Sequence, residues 1–133
     1  MFEIDKYKTD NGKCPFDEYR QELINSGQKL EVAKINHYVR MLENFGYELP
    51  SISSVYAKYL GNNIYELRPS KNRVLYFYCA SNQKYVLLHC FKKKTQKTPT
   101  EQISLAEREA EDYERKNKNE KKWIWFIWWF RIN

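Results

Sequence analysis

On either side of Pro50 the apolar residues recur at different intervals, and this change of period restricts the fold more than any other feature of the chain. Before Pro50 the interval is helical. Phe16, Tyr19 and Leu23 recur at +3 and +4, and Val32, Ile35, Val39 and Leu42 form a second stripe, widened by Tyr38, Met41 and Phe45. Pro15 suits the first turn of the first helix, where its missing N–H would have no partner anyway. Ser26-Gly27 supplies the stop, and the second helix runs from about Gln28 to Phe45 with Gly46 closing it. His37 falls at the edge of that core stripe. After Pro50 the runs shorten and become β-branched and aromatic: Val55–Leu60, Ile64–Arg68, Val74–Cys79 and Tyr85–Phe91. Turn clusters separate them, at Gly61-Asn62-Asn63, Pro69–Asn72 and Ser81-Asn82-Gln83, as hairpins require.

The ends of the chain complete the pattern. Phe2–Lys8 alternates apolar and polar residues, so it reads as a first strand ended by Asp10-Asn11-Gly12. Thr98-Pro99-Thr100-Glu101 forms a capping box with Thr98 as N-cap. Ile103, Ala106, Ala110 and Tyr113 then predict a third amphipathic helix to about Lys116. The predicted order is β-α-α-β-β-β(β)-α. This is an α+β domain, a small antiparallel sheet with an N-terminal helical pair and a C-terminal helix, all helices packed on one face. At 133 residues there is room for one domain, assigned to residues 1–116. Residues 117–133 are read as an appendage: a charged linker, Asn117–Lys122, and the apolar run Trp123–Phe130. Eight apolar residues are far short of the roughly 20 of a spanning helix, so no stable membrane span is expected. The run is left with four readings: insertion at an interface, packing across the sheet edge, association, or chance extension of the reading frame.

Charge is where function begins to show. Residues 58–97 carry nine basic side chains and one acid, Glu66, whereas the N-terminal part is mildly acidic and the C-terminal part neutral. A basic excess confined to forty residues points to an anionic partner met at one face, nucleic acid before membrane or acidic peptide. In a strand, residues two apart share a face. Glu66 and Arg68 therefore project together, Arg73 opens the next strand, and Lys92, Lys93, Lys94 and Lys97 leave the last one. Together they make a phosphate-binding constellation containing one carboxylate.

Such a set suits cleavage of RNA by its own 2′-hydroxyl, which needs neither a metal nor a protein nucleophile. Guanidinium groups meet phosphate oxygens bidentately and stabilise the charge that grows on them. Other chemistries are disfavoured. There is no Walker loop and no GxGxxG, and the basic region is too poor in acids for a two-metal carboxylate site. Cys14, Cys79 and Cys90 lack CxxC spacing and have only His37 and His89 to complete a zinc ligand set, so no metal or other cofactor is expected. A Cys90–His89 nucleophile pair fails because neighbouring strand residues point to opposite faces. Reduced thiols and an N-terminus without an apolar signal region lead to the expectation of a cytoplasmic protein.

The segments Tyr65-Glu66-Leu67-Arg68, Arg73-Val74-Leu75-Tyr76-Phe77 and Leu88 to Pro99, with its Lys92-Lys93-Lys94-Thr95-Gln96-Lys97-Thr98-Pro99, resemble the RelE/ParE superfamily of bacterial toxins. The resemblance is to its phage-derived HigB-like branch, and it covers about residues 1–116. It implies a RelE-like fold and the toxin of a type II toxin–antitoxin pair, a ribosome-dependent, metal-independent mRNA endoribonuclease. The implied partners are mRNA, the ribosome and a cognate antitoxin of helix-turn-helix type, whose complex can set an oligomeric state. By the same resemblance Arg73 stabilises the scissile phosphate and Lys93 or Lys94 is a cationic acid or charge stabiliser. Arg68 matches a further basic residue of the family, and apart from the resemblance Lys58, Lys71, Lys92 and Lys97 of the basic segment are expected to contact RNA. Glu66 stands where studied members carry a lysine, so it either takes the base role or orients Arg68 and Arg73. Pro99 stands in the region where some members place a tyrosine. Two alternatives are a ParE-like inhibitor that poisons gyrase by binding, and a catalytically degenerate nucleic-acid-binding relative.

Overall fold

The computed structural model describes residues 1–132. Strand β1 (Glu3–Lys6) precedes the helices α1 (Pro15–Asn25) and α2 (Lys29–Phe45). A 3₁₀ turn and a short helix α3 (Leu49–Ile52) lead into four strands: β2 (Ala57–Gly61), β3 (Ile64–Leu67), β4 (Asn72–Cys79) and β5 (Lys84–Lys92). Helix α4 (Thr100–Ile132) ends the chain. The predicted α+β order holds, with all four later strands present.

Three expectations need correction. First, the sheet order is β1-β5-β4-β3-β2, and β1 runs parallel to β5 while every other pair is antiparallel. Alternation in Phe2–Lys8 identifies a strand but not its neighbour, and a parallel neighbour needs a long crossover, here almost the whole domain. Second, the helices do not share one face. Phe16, Leu23, Ile35 and Leu42 of α1 and α2 pack on Leu67, Val74, Tyr76 and Leu87, whereas Ala106 and Ala110 of α4 pack on Ile64, Leu75, Phe77 and Leu88. The unbroken apolar run Val74–Cys79 is what a strand covered on both sides requires.

Third, α4 passes straight through the supposed linker. No glycine or proline follows Pro99, and the Lys and Glu of 117–122 are good helix formers. At 33 residues the helix is about 50 Å long. Its first half is bound to the body: Tyr7 Oη donates to Asp112 Oδ2 at 2.7 Å and Tyr113 Oη to Asp5 Oδ2 at 2.6 Å. Further along, the side chains of Asn117 and Lys121 donate to Ser81.

A bulge matters for the site. Val74 pairs with Cys90 but Tyr76 pairs with Leu87, so Leu88 and His89 together oppose Leu75. The extra residue lets His89 reach α4 although Leu88 beside it does so too.

Candidate functional site

The end of β3, the start of β4 and the end of β5 meet at one end of the sheet, because β4 is antiparallel to both neighbours. The basic residues of the sequence therefore converge there. A cleft of about 330 Å³ is lined by Arg73, Lys92, Lys93, Lys94, Lys97, Thr98 and Gln102, with Phe91 and Pro99. Among the described residues, five cations and no carboxylate line it.

Arg73 is the best fixed of the cations. It is 6% exposed, and its Nη1 donates to Asn72 O at 2.8 Å and Ser70 O at 3.1 Å, which sets the plane of the guanidinium at the cleft wall. The turn before it is itself tied down. Tyr19 Oη donates to Asn72 Oδ1 at 2.6 Å, and Asn72 Nδ2 donates to Glu31 Oε2 at 3.0 Å, so both helices of the pair hold the turn. Lys93 N donates to Lys71 O at 2.6 Å, which brings the lysine turn alongside. Burial lowers the Arg73 pKa, the nearby Glu66 carboxylate opposes that effect and Arg68 adds to it.

Glu66 lies behind the cleft wall. It is 3% exposed, its Oε2 accepts from Thr98 Oγ1 at 2.5 Å, and its Oε1 is 3.7 Å from Arg68 Nε. Arg68 Nη1 also donates to Ser54 O at 2.8 Å, so this guanidinium is held between β3 and the segment before β2. Glu66 and Arg68 project together, as alternation requires. Thr98 does not cap α4, contrary to the predicted capping box. The helix begins at Thr100 with Pro99 O accepting from Gln102 N and Ile103 N, while the Thr98 hydroxyl goes to the buried carboxylate. Lys58 is directly opposite Glu66 in the β2–β3 register, and its side chain, like that of Lys71, is exposed and outside the cleft lining.

Four residues of this region escaped the sequence reading: Thr98 as a ligand of Glu66, and the set His89, Glu109 and Gln102. His89 is buried, with Nδ1 2.5 Å from Glu109 Oε1 and Nε2 2.7 Å from the Gln102 side-chain amide. Gln102 lines the cleft, so the imidazole supports the wall from behind. The available signal was Glu109, an acid at +3 from Ala106 on the apolar stripe of α4. A buried acid needs a partner, and His89 was the polar residue inside the β5 run. Burial pushes the Cys90 thiol well above the usual range, which disfavours its thiolate.

No curated protein matches the chain. The family model described as phage derived protein Gp49-like (DUF891) matches residues 22–111, a span from α1 to the first turns of α4 that contains every residue of the cleft. The chain belongs to this Gp49-like phage-derived family, a family of RelE/ParE-like toxins.

Proposed function

We propose that this protein is the toxin of a type II toxin–antitoxin pair, of the HigB-like branch, and that it cleaves mRNA on the ribosome. The observation that carries the reading is the cleft itself: one buried, doubly anchored arginine and four lysines gathered around a space of about 330 Å³, with no acid in the lining among the described residues. Family membership supports it.

In the proposed reaction the 2′-hydroxyl gives its proton to water in the open cleft as the 2′-oxygen attacks the adjacent phosphorus in line, the bond to the 5′-oxygen breaks, and the 2′,3′-cyclic phosphate forms. Negative charge grows on the non-bridging oxygens. Arg73 meets it with a guanidinium already oriented by two backbone carbonyls, so little reorganisation is needed at the moment of reaction. Lys93 and Lys94 offer ammonium protons to the departing 5′-oxygen. Lys92 and Lys97, with Lys58 and Lys71 outside the cleft, hold flanking phosphates electrostatically. Glu66 acts from behind the wall by fixing Thr98 and Arg68. A small antitoxin silences the protein in this reading by covering the cleft or withdrawing one of its cations.

Expression in bacteria of the wild-type chain and of Arg73→Ala, with mapping of transcript 5′ ends, tests the proposal. The wild type is expected to arrest growth and create new ends in translated mRNA. Arg73→Ala is expected to lose about a hundred- to a thousandfold in cleavage, the usual effect of removing one donor from a developing oxyanion. Arrest with intact transcripts and induction of DNA-damage genes would select gyrase poisoning instead. Salt-sensitive RNA binding without a growth phenotype would select the degenerate relative.

A further inference from the structure

The final eleven described residues of α4 lie beyond Asn117 and Lys121, whose side chains donate to Ser81 on the body. Within them Trp123–Phe130 is apolar at every position, and each of the eight side chains is between 46% and 71% exposed. A protein groove covers a stripe of a helix, spaced i, i+3, i+4 and i+7, and leaves the other side to water. Eight consecutive apolar residues instead surround the helix, so a groove would leave half of them wet. Only a medium that is apolar all round accommodates them.

Composition narrows the medium further. Four of the eight are tryptophan, the residue that settles where hydrocarbon meets headgroups. Lys118, Lys121 and Lys122 precede the run and Arg131 follows it, against the single acid Glu120. That charge complements anionic headgroups, and long basic side chains reach them from an inserted helix. The run is about 12 Å long against a hydrocarbon core of about 30 Å. Among the described residues no helix is long and apolar enough to cross a membrane. The run is thus suited to entering one leaflet.

We propose that the end of α4 is a lipid anchor that binds the protein to the surface of an anionic bilayer, with Trp123–Phe130 in the interface and Lys118 and Lys122 at the phosphates. The cleft lies at the opposite end of α4, beside Gln102, so it stays open to water while the anchor is engaged.

All four tryptophans of the protein are in this run, so its tryptophan emission reports the anchor alone. The purified full-length chain is mixed with vesicles of phosphatidylcholine, with or without phosphatidylglycerol. Expected are flotation with the phosphatidylglycerol vesicles, a blue shift of emission, and quenching by lipids brominated high on the acyl chain. Lys118→Gln with Lys122→Gln should weaken that binding roughly thirtyfold, about fivefold for each basic residue near the surface. Trp125→Ser with Trp128→Ser should abolish flotation while far-ultraviolet circular dichroism and the urea midpoint stay unchanged. Failure to float, equal binding to both vesicle types, or a blue shift that follows protein concentration without lipid would overturn the proposal. The last of these would assign the run to contact between copies of the chain.

Discussion

Glu66 is the lone acid in the basic segment, and its surroundings determine its role. A general base must reach the proton it removes, whereas both oxygens of Glu66 are engaged behind the wall, one by Thr98 and one by Arg68. We therefore expect Glu66→Gln, which keeps an acceptor for Thr98, to slow cleavage by less than about tenfold, outside the 10²–10⁴ range of a lost acid or base. Its pH–rate profile should match that of the wild type, and a changed profile would make Glu66 the proton acceptor. Glu66→Leu should cost far more, because it leaves Arg68 and Thr98 without their partner. His89 gives a second residue-scale expectation. Replacing Glu109 by leucine leaves Nδ1 of a buried imidazole without its partner, and about 1–3 kcal/mol of stability should go with it. Urea denaturation measures this directly, with an unchanged slope showing that the denatured state is not involved.

At the scale of elements, position and type were far more legible than neighbours. Pro15, the Ser26-Gly27 stop and Gly46 placed α1 and α2 to within a residue, because each acts through local backbone geometry. Convergence of Arg73 with the lysine run was legible too, since hairpin connections force β3, β4 and β5 to share an end. What stayed hidden depends on contacts far apart in sequence. Parallel pairing of β1, the bulge that turns His89, and the diversion of Thr98 from capping α4 to Glu66 leave no local trace. The length of α4 was hidden for the opposite reason: charged residues look like a linker, yet nothing among them breaks a helix. Gly46 shows how tightly one junction is built. It has φ +52°, and an added Cβ would lie 2.4 Å from Phe2 Cε2, in a ring already packed edge-on against Tyr47 and Tyr85. Gly46→Ala should therefore destabilise the fold by about 1–3 kcal/mol, read as a lower urea midpoint.

For the whole molecule, the β1–α4 connection couples stability to pH at both extremes. Tyr7 is pushed up to about 12 by burial and by its bond to Asp112, and Tyr113 is raised by burial and by its bond to Asp5. In the other layer half-buried Tyr19 and buried Tyr85 also rise to about 12, chiefly through desolvation. An unfolded tyrosine ionises near pH 10. A folded pKa above that value gives stability that is fully present below about pH 10 and is lost as pH rises toward 12. Asp112 works in the other direction: hydrogen bonds from Lys116 and Tyr7 hold its carboxyl below the usual range. Its contribution is present above the unfolded carboxylate pKa of about 4 and disappears as pH falls below it. The urea midpoint should accordingly be flat through neutrality and fall above pH 10, together with the rise of tyrosinate absorbance. Tyr7→Phe with Tyr113→Phe removes two of the raised groups and should make the alkaline decline shallower, at some cost in stability near neutrality. Asp112→Asn should flatten the acidic side and soften the alkaline decline only through Tyr7, because Tyr19, Tyr85 and Tyr113 still ionise with raised values. An alkaline slope unchanged in the double tyrosine variant would show that β1 and α4 separate before their tyrosines titrate.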